Sequence, residues 1–233
     1  MMKRLLLTLL VVLAFDVSAS AKDAPKRDPY FPLNAISYQA LLPDPPAEKS
    51  AADVKELDAI VELQKSLTAE QKSNMTLEAN YNTYLIFQDT IGPWFTKDEV
   101  AKLPALHRLL KREADTTAEF VTAGKDFWKR PRPYVQDTRV QSQLGPVDGF
   151  SYPSGHSTRG TVDSYVLAKV FPSVADGILK RGVRVGDDRV LAGVHFPSDV
   201  AAGRTLAGAI FDRLMKNPQF RADLAAAQAE IRR

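Results

Sequence analysis

From about residue 105 to residue 231, apolar residues recur at helical spacing in segment after segment, with prolines at 131, 153 and 197 interrupting the pattern. The sustained two-residue alternation of a half-buried strand is missing. A chain punctuated in this way folds as packed helices. Ser50 can cap a helix from 51 to about 67, and further helices are expected at about 105–128, 154–171, 173–194, 198–216 and 218–231. Gly182, Gly186 and Gly193 weaken the 173–194 segment intrinsically, which points to close helix packing or backbone approach there.

The chain has 233 residues, with no Gly/Ser linker, internal repeat or low-complexity tract to divide it. A single domain is expected, entered through an extended Pro-rich lead-in at 41–46. At the N-terminus Lys3 and Arg4 precede an apolar run over 5–15, and Ala19-Ser20-Ala21 offers small residues for cleavage. Residues 1–21 therefore read as a secretory signal peptide and 22–233 as the mature domain. Removing Lys3, Arg4 and Asp16 leaves 29 basic against 27 acidic residues, net +2, too even to argue for a nucleic-acid partner. There is no cysteine, hence neither a disulfide framework nor a site for acyl anchoring, and no later stretch is apolar enough to span a membrane.

Three short runs carry the chemistry. They are Lys125-Asp-Phe-Trp-Lys-Arg-Pro-Arg132-Pro133, Pro153-Ser154-Gly155-His156 and Arg189-Val-Leu-Ala-Gly-Val-His195-Phe-Pro-Ser-Asp199. A phosphoryl group in transit spreads negative charge over three equatorial oxygens, so its catalysts are mostly positioned cations and dipoles. Lys125, Arg132 and Arg189 can supply that cage. Ser154, Gly155 and His156 open a helix whose first N–H groups are free to bind an anion. Pro197 separates His195 from Asp199, placing His195 just past one helix and Asp199 in the first turn of the next. A carboxylate there accepts a hydrogen bond from one imidazole nitrogen and leaves the other as a nucleophile, while His156 is available as general acid. Nothing in the set calls for a metal or a cofactor. Lys129 and Arg130 lack the two-turn spacing and read as surface, His107 reads as structural among leucines, and Phe127, Trp128 and Tyr152 read as core or pocket wall.

These runs resemble the phosphatidic acid phosphatase type 2 and vanadium haloperoxidase superfamily, whose pattern is K-x6-R-P, P-S-G-H and S-R-x5-H-x3-D. Within it the likeness is to the class A bacterial nonspecific acid phosphatases. It extends to Leu41-Leu42-Pro43-Asp44-Pro45-Pro46, to Ala105 through Leu110, to Ser198 through Arg204, and to Asn217-Pro218-x-Phe220. The resemblance implies an all-α, single-domain helical bundle of the acid phosphatase/vanadium haloperoxidase type. It implies a periplasmic enzyme acting on small phosphate monoesters through a phosphohistidine. Lys125, Arg132, Ser154, Gly155 and Arg189 would be phosphate ligands, His156 the acid, His195 the nucleophile and Asp199 its partner. Members of that family commonly form homo-oligomers, and no feature here decides the matter for this chain.

Two positions depart from the pattern. Asp188 stands where the pattern has serine, and Phe150 intervenes where the class A signature runs Gly-Ser-Tyr. Asp188 would weaken the cage if it faced inward, and Phe150 would reshape the pocket rim. Three other readings stay open: a lipid phosphatase, a vanadium-dependent haloperoxidase using the same cage, and a noncatalytic phosphate binder, which would have no use for a His195/Asp199 pair.

Overall fold

A computed structural model describes residues 27–232, among which every regular element is helical. The signal-peptide reading of 1–21 falls outside the described residues. A single turn, α1 (Tyr38–Leu41), is followed by the lead-in, extended from Leu42. Then come α2 (Ala51–Gln64), α3 (Ala69–Glu78), α4 (Thr83–Ile91) and α5 (Lys97–Ala101). The longer helices follow: α6 (Pro104–Trp128), α8 (Gly155–Val170), α9 (Ala175–Leu191), α10 (Pro197–Lys216) and α11 (Pro218–Ile231), with the turn α7 (Pro133–Gln136) after α6.

The boundaries follow local chemistry. Ser50 Oγ accepts from Asp53 N at the start of α2, Thr68 and Gln71 form a capping box on α3, and Asn217 caps α11. The segment expected to reach 67 stops at Gln64, where the chain turns into α3. The segment expected from 173 starts at Ala175, behind a 3-10 turn over Pro172–Val174. Helices α3, α4 and α5 are short and carry too few apolar repeats to stand out in the sequence.

α8 is the hub. It is buried on every side, with Ser157, Thr161, Val162, Ser164, Val166 and Leu167 all covered, and it packs against α6, α9, α10 and α11. α6 turns Leu106, Leu109, Leu110, Glu113, Thr117 and Phe120 toward the core at i, i+3, i+4 spacing. Burying each large apolar side chain contributes about 1.5–3 kcal/mol. α8 and α9 approach so closely that a Cβ on Gly182 would lie 2.5 Å from Ser164 Cβ and 2.6 Å from Gly160 O. The glycine-weakened segment is therefore a helix crossing, as its composition foretold. The lead-in docks on the C-terminal end of α6, where Trp128 Nε1 donates to Asp44 (2.8 Å) and Tyr152 Oη donates to Pro43 O (2.5 Å). Phe127, expected in the core or pocket wall, is 55 % exposed.

Candidate active site

The three sequence runs arrive at one place by three local devices. α6 ends at Lys129, in the left-handed region at φ 50°, with Lys125 in its last turn. Ser151 then ties the following loop down by donating to the carbonyls of Arg130 and Pro131. α8 begins at Gly155 behind Ser154, whose Oγ accepts from Ser157 N. α9 ends at Leu191, and Gly193 at φ 71° breaks the helix so that Val194 and His195 fold back on Arg189 O. Asp199 lies in the first turn of α10, and Ser154 N donates to Asp199 O (3.0 Å), locking the starts of α8 and α10 together.

Lys125, Arg132, Gly155, His156, Arg189 and His195 line one cleft of about 100 Å³, with apolar walls from Leu144, Val147 and Val194. Ser154 does not line it. That residue is fully buried as the α8 cap, with its N–H already used by Asp199. A second hollow of about 220 Å³, lined by Tyr81, Thr117, Val121 and Arg159, shares Gly155 and His156 with the first.

Hydrogen-bond partners define the histidine tautomers. His195 Nε2 faces Arg132 (3.4 Å), and a guanidinium only donates; His195 Nδ1 faces the Asp199 carboxylate (3.3 Å), which accepts. Hydrogen therefore sits on Nδ1 and the lone pair on Nε2. Arg132 is held in turn by the carbonyls of Gly149, Val194 and Asp148. His156 Nε2 meets Glu78 O at 2.8 Å, and a carbonyl only accepts, so this ring carries hydrogen on Nε2 and leaves Nδ1 free. Tyr81 packs edge-on against the same ring.

Burial and the convergent positive charge act together on the groups of the cleft. Burial, then the charge of Arg132, lowers Lys125 to about 7. Burial and Arg189 lower His156 to about 4. Burial, with Lys125 and Arg132 behind it, holds His195 far below its ordinary value. Burial raises Asp199, and Arg130 opposes that rise. Lys125, His156 and His195 are all driven from the cationic form, a strain that an anion in the cleft relieves.

Lys129 is exposed as expected, but Arg130 is not on the surface. It is 4 % exposed; one terminal nitrogen reaches Asp199 (2.8 Å) and Ser198 Oγ (2.7 Å), the other Asp53 and Glu56 (3.0 Å each), and its guanidinium lies 3.5 Å over the Phe196 ring. Counting helical turns missed it. Pro131 biases Arg130 toward an extended backbone, in which residues two apart share a side, and that reading would have grouped Arg130 with Arg132. Asp188 is buried and lies 3.7 Å from Arg184, outside the cleft lining. The inserted Phe150 offers its carbonyl to Lys125 Nζ. His107 is on the exposed side of α6, away from the cleft.

Residues 115–222, which contain Lys125, Arg132, Ser154, Gly155, His156, Arg189, His195 and Asp199, match the PAP2 superfamily model. The chain is also 31 % identical over 219 residues to a non-specific acid phosphatase of Providencia stuartii, covering 88 % of this chain and 86 % of that protein. The chain belongs to the PAP2 superfamily, with the non-specific acid phosphatases. This PAP2 chain is 34 % identical over 137 residues to an acid phosphatase of Zymomonas mobilis, covering 57 % of the chain and spanning about half, 52 %, of that relative's length. To a lipid A 1-phosphatase of Rhizobium etli it is 28 % identical over 190 residues, covering 77 % of this chain and 78 % of that one.

Proposed function

We propose that this PAP2 protein is an exported, periplasmic acid phosphatase that hydrolyses small phosphate monoesters in two steps without a metal. Lys125, Arg132, Arg189 and the first N–H groups of α8, Gly155 among them, would hold the phosphoryl oxygens, with Ser154 behind them as the helix cap. The observation that carries this reading is the His195 tautomer: the lone pair on Nε2 is beside Arg132, and the proton on Nδ1 is held by Asp199. His195 Nε2 attacks phosphorus in line as the ester P–O bond breaks, and the departing alkoxide takes a proton from His156 Nδ1. Water, deprotonated by the now neutral His156, then cleaves the P–N bond and releases phosphate. His156 must be protonated for the first step. A dianionic phosphate among these cations reverses the sign of the local field and raises its pKa from about 4, which favours activity on the acid side.

The test is turnover of p-nitrophenyl phosphate in EDTA, with labelled phosphate trapped on the protein by an alkaline detergent quench. Wild type should turn over and carry an acid-labile, base-stable label, and His195→Ala should lose both. Turnover by His195→Ala within tenfold of wild type would remove the nucleophile. The Rhizobium etli relative supports a second reading, in which the ester is a lipid phosphate. Among the described residues no helix is long and apolar enough to cross a membrane. Higher kcat/KM on phosphatidate than on soluble esters favours that reading, and tight phosphate binding without turnover favours a binding protein.

A further inference from the structure

Glu78 closes α3, is fully buried, and belongs to none of the sequence runs. Its carboxylate lies 2.8 Å from one terminal nitrogen of Arg189 and 2.5 Å from Arg181. One turn earlier, Met75 O accepts from that same Arg189 nitrogen (3.2 Å). The Glu78 carbonyl meets His156 Nε2. The last turn of α3 thus touches two of the groups that line the cleft. With one Arg189 nitrogen clamped, its Nε and the other terminal nitrogen are buried and unpartnered. Donors left in that state cost free energy until an acceptor arrives, and the side chain borders the cleft where a phosphoryl oxygen would supply one.

We propose that Glu78 is a positioning residue of the oxyanion site: by clamping one nitrogen of Arg189 it presents the remaining donors of that guanidinium to the anion. The proposal rests on the reading of the cleft as a phosphate site, but not on turnover. Removing the carboxylate frees Arg189 to move toward Asp188, the neighbouring buried acid, and the cage loses a properly aimed cation.

Binding of tungstate, a tetrahedral dianion, to the full chain by titration calorimetry tests it. Glu78→Ala should weaken tungstate by about tenfold or more, and Arg189→Ala should cost less than about threefold further in that background, because Glu78 acts through Arg189. An affinity within about threefold of wild type, or an undiminished Arg189→Ala loss in the Glu78→Ala background, overturns the proposal. Should Glu78→Ala not fold, the isosteric Glu78→Gln keeps an acceptor at the same reach and should hold tungstate within about threefold of wild type, while Glu78→Asp, one methylene shorter, should lose about tenfold. The reverse order overturns it as well. If wild type binds tungstate but does not hydrolyse p-nitrophenyl phosphate, the phosphatase reading fails and the Glu78 proposal is still decided by binding.

Discussion

Arg130 reaches Asp199 at 2.8 Å with both side chains buried, and Asp199 in turn faces the imidazole of His195. The carboxylate that orients the nucleophile is thus itself oriented. A guanidinium is suited to this because its fixed fork serves Asp199, Ser198, Asp53 and Glu56 at once, whereas an ammonium is a point charge.

Arg130→Lys should therefore fold, keep the local charge, and lower kcat by on the order of tenfold or more, because Asp199 and the His195 ring lose their fixed geometry. Arg130→Ala should in addition destabilise the protein by about 3–5 kcal/mol, since it strands buried carboxylates. Steady-state kinetics beside denaturant melts would separate the two effects. An unchanged kcat in Arg130→Lys would show that Asp199 needs no such partner.

Affinity for an oxyanion should fall as pH rises through about 7. Lys125, lowered to about 7 by burial and Arg132, loses its positive charge over that range. Glu78, raised to about 7 by burial against the pull of Arg189 and Arg181, gains a negative one. Arg132 and Arg189 stay charged, and both histidines are neutral in the anion-free cleft, so both titrations reduce the positive charge of the cage and the protonated states bind anions better; any proton His156 takes up on binding a dianion acts in the same direction. Tungstate does not titrate here. Its inhibition constant should rise by roughly threefold or more between about pH 6 and about pH 8, and a flat profile would contradict both assignments.

Two glycines on neighbouring helices should respond oppositely to alanine. At Gly182 the added methyl meets Ser164 and the Gly160 carbonyl, so Gly182→Ala should cost about 1–3 kcal/mol. At Gly208, within α10, nothing lies within 4 Å of a built Cβ, and Gly208→Ala should stabilise by about 0.4–1 kcal/mol by restricting the unfolded chain. Melting temperatures of the two variants check the signs.

The long helices were legible because their signals are local: Ser50 does cap α2, and the apolar spacing of α6 does become its buried face. The short helices α3 to α5 were not, because a helix of three turns or fewer is selected by what packs on it rather than by its own propensity. The same division runs through the site. Lys125, Arg132, Gly155, His156, Arg189 and His195 were recognisable in the sequence by type and order, and they do share a cleft.

By itself, then, the amino-acid sequence determined the helical class and the inventory of cations, imidazoles and carboxylate that the cleft would hold, since residue type and short-range spacing suffice for both. Only the tertiary structure decided that Arg130 turns inward to Asp199 and that Ser154 stays behind the cleft wall as a helix cap. The same holds for Glu78, brought by α3 beneath Arg189. The role of a charged group depends on what faces it through a low-dielectric interior, and those partners lie on helices far away in the chain.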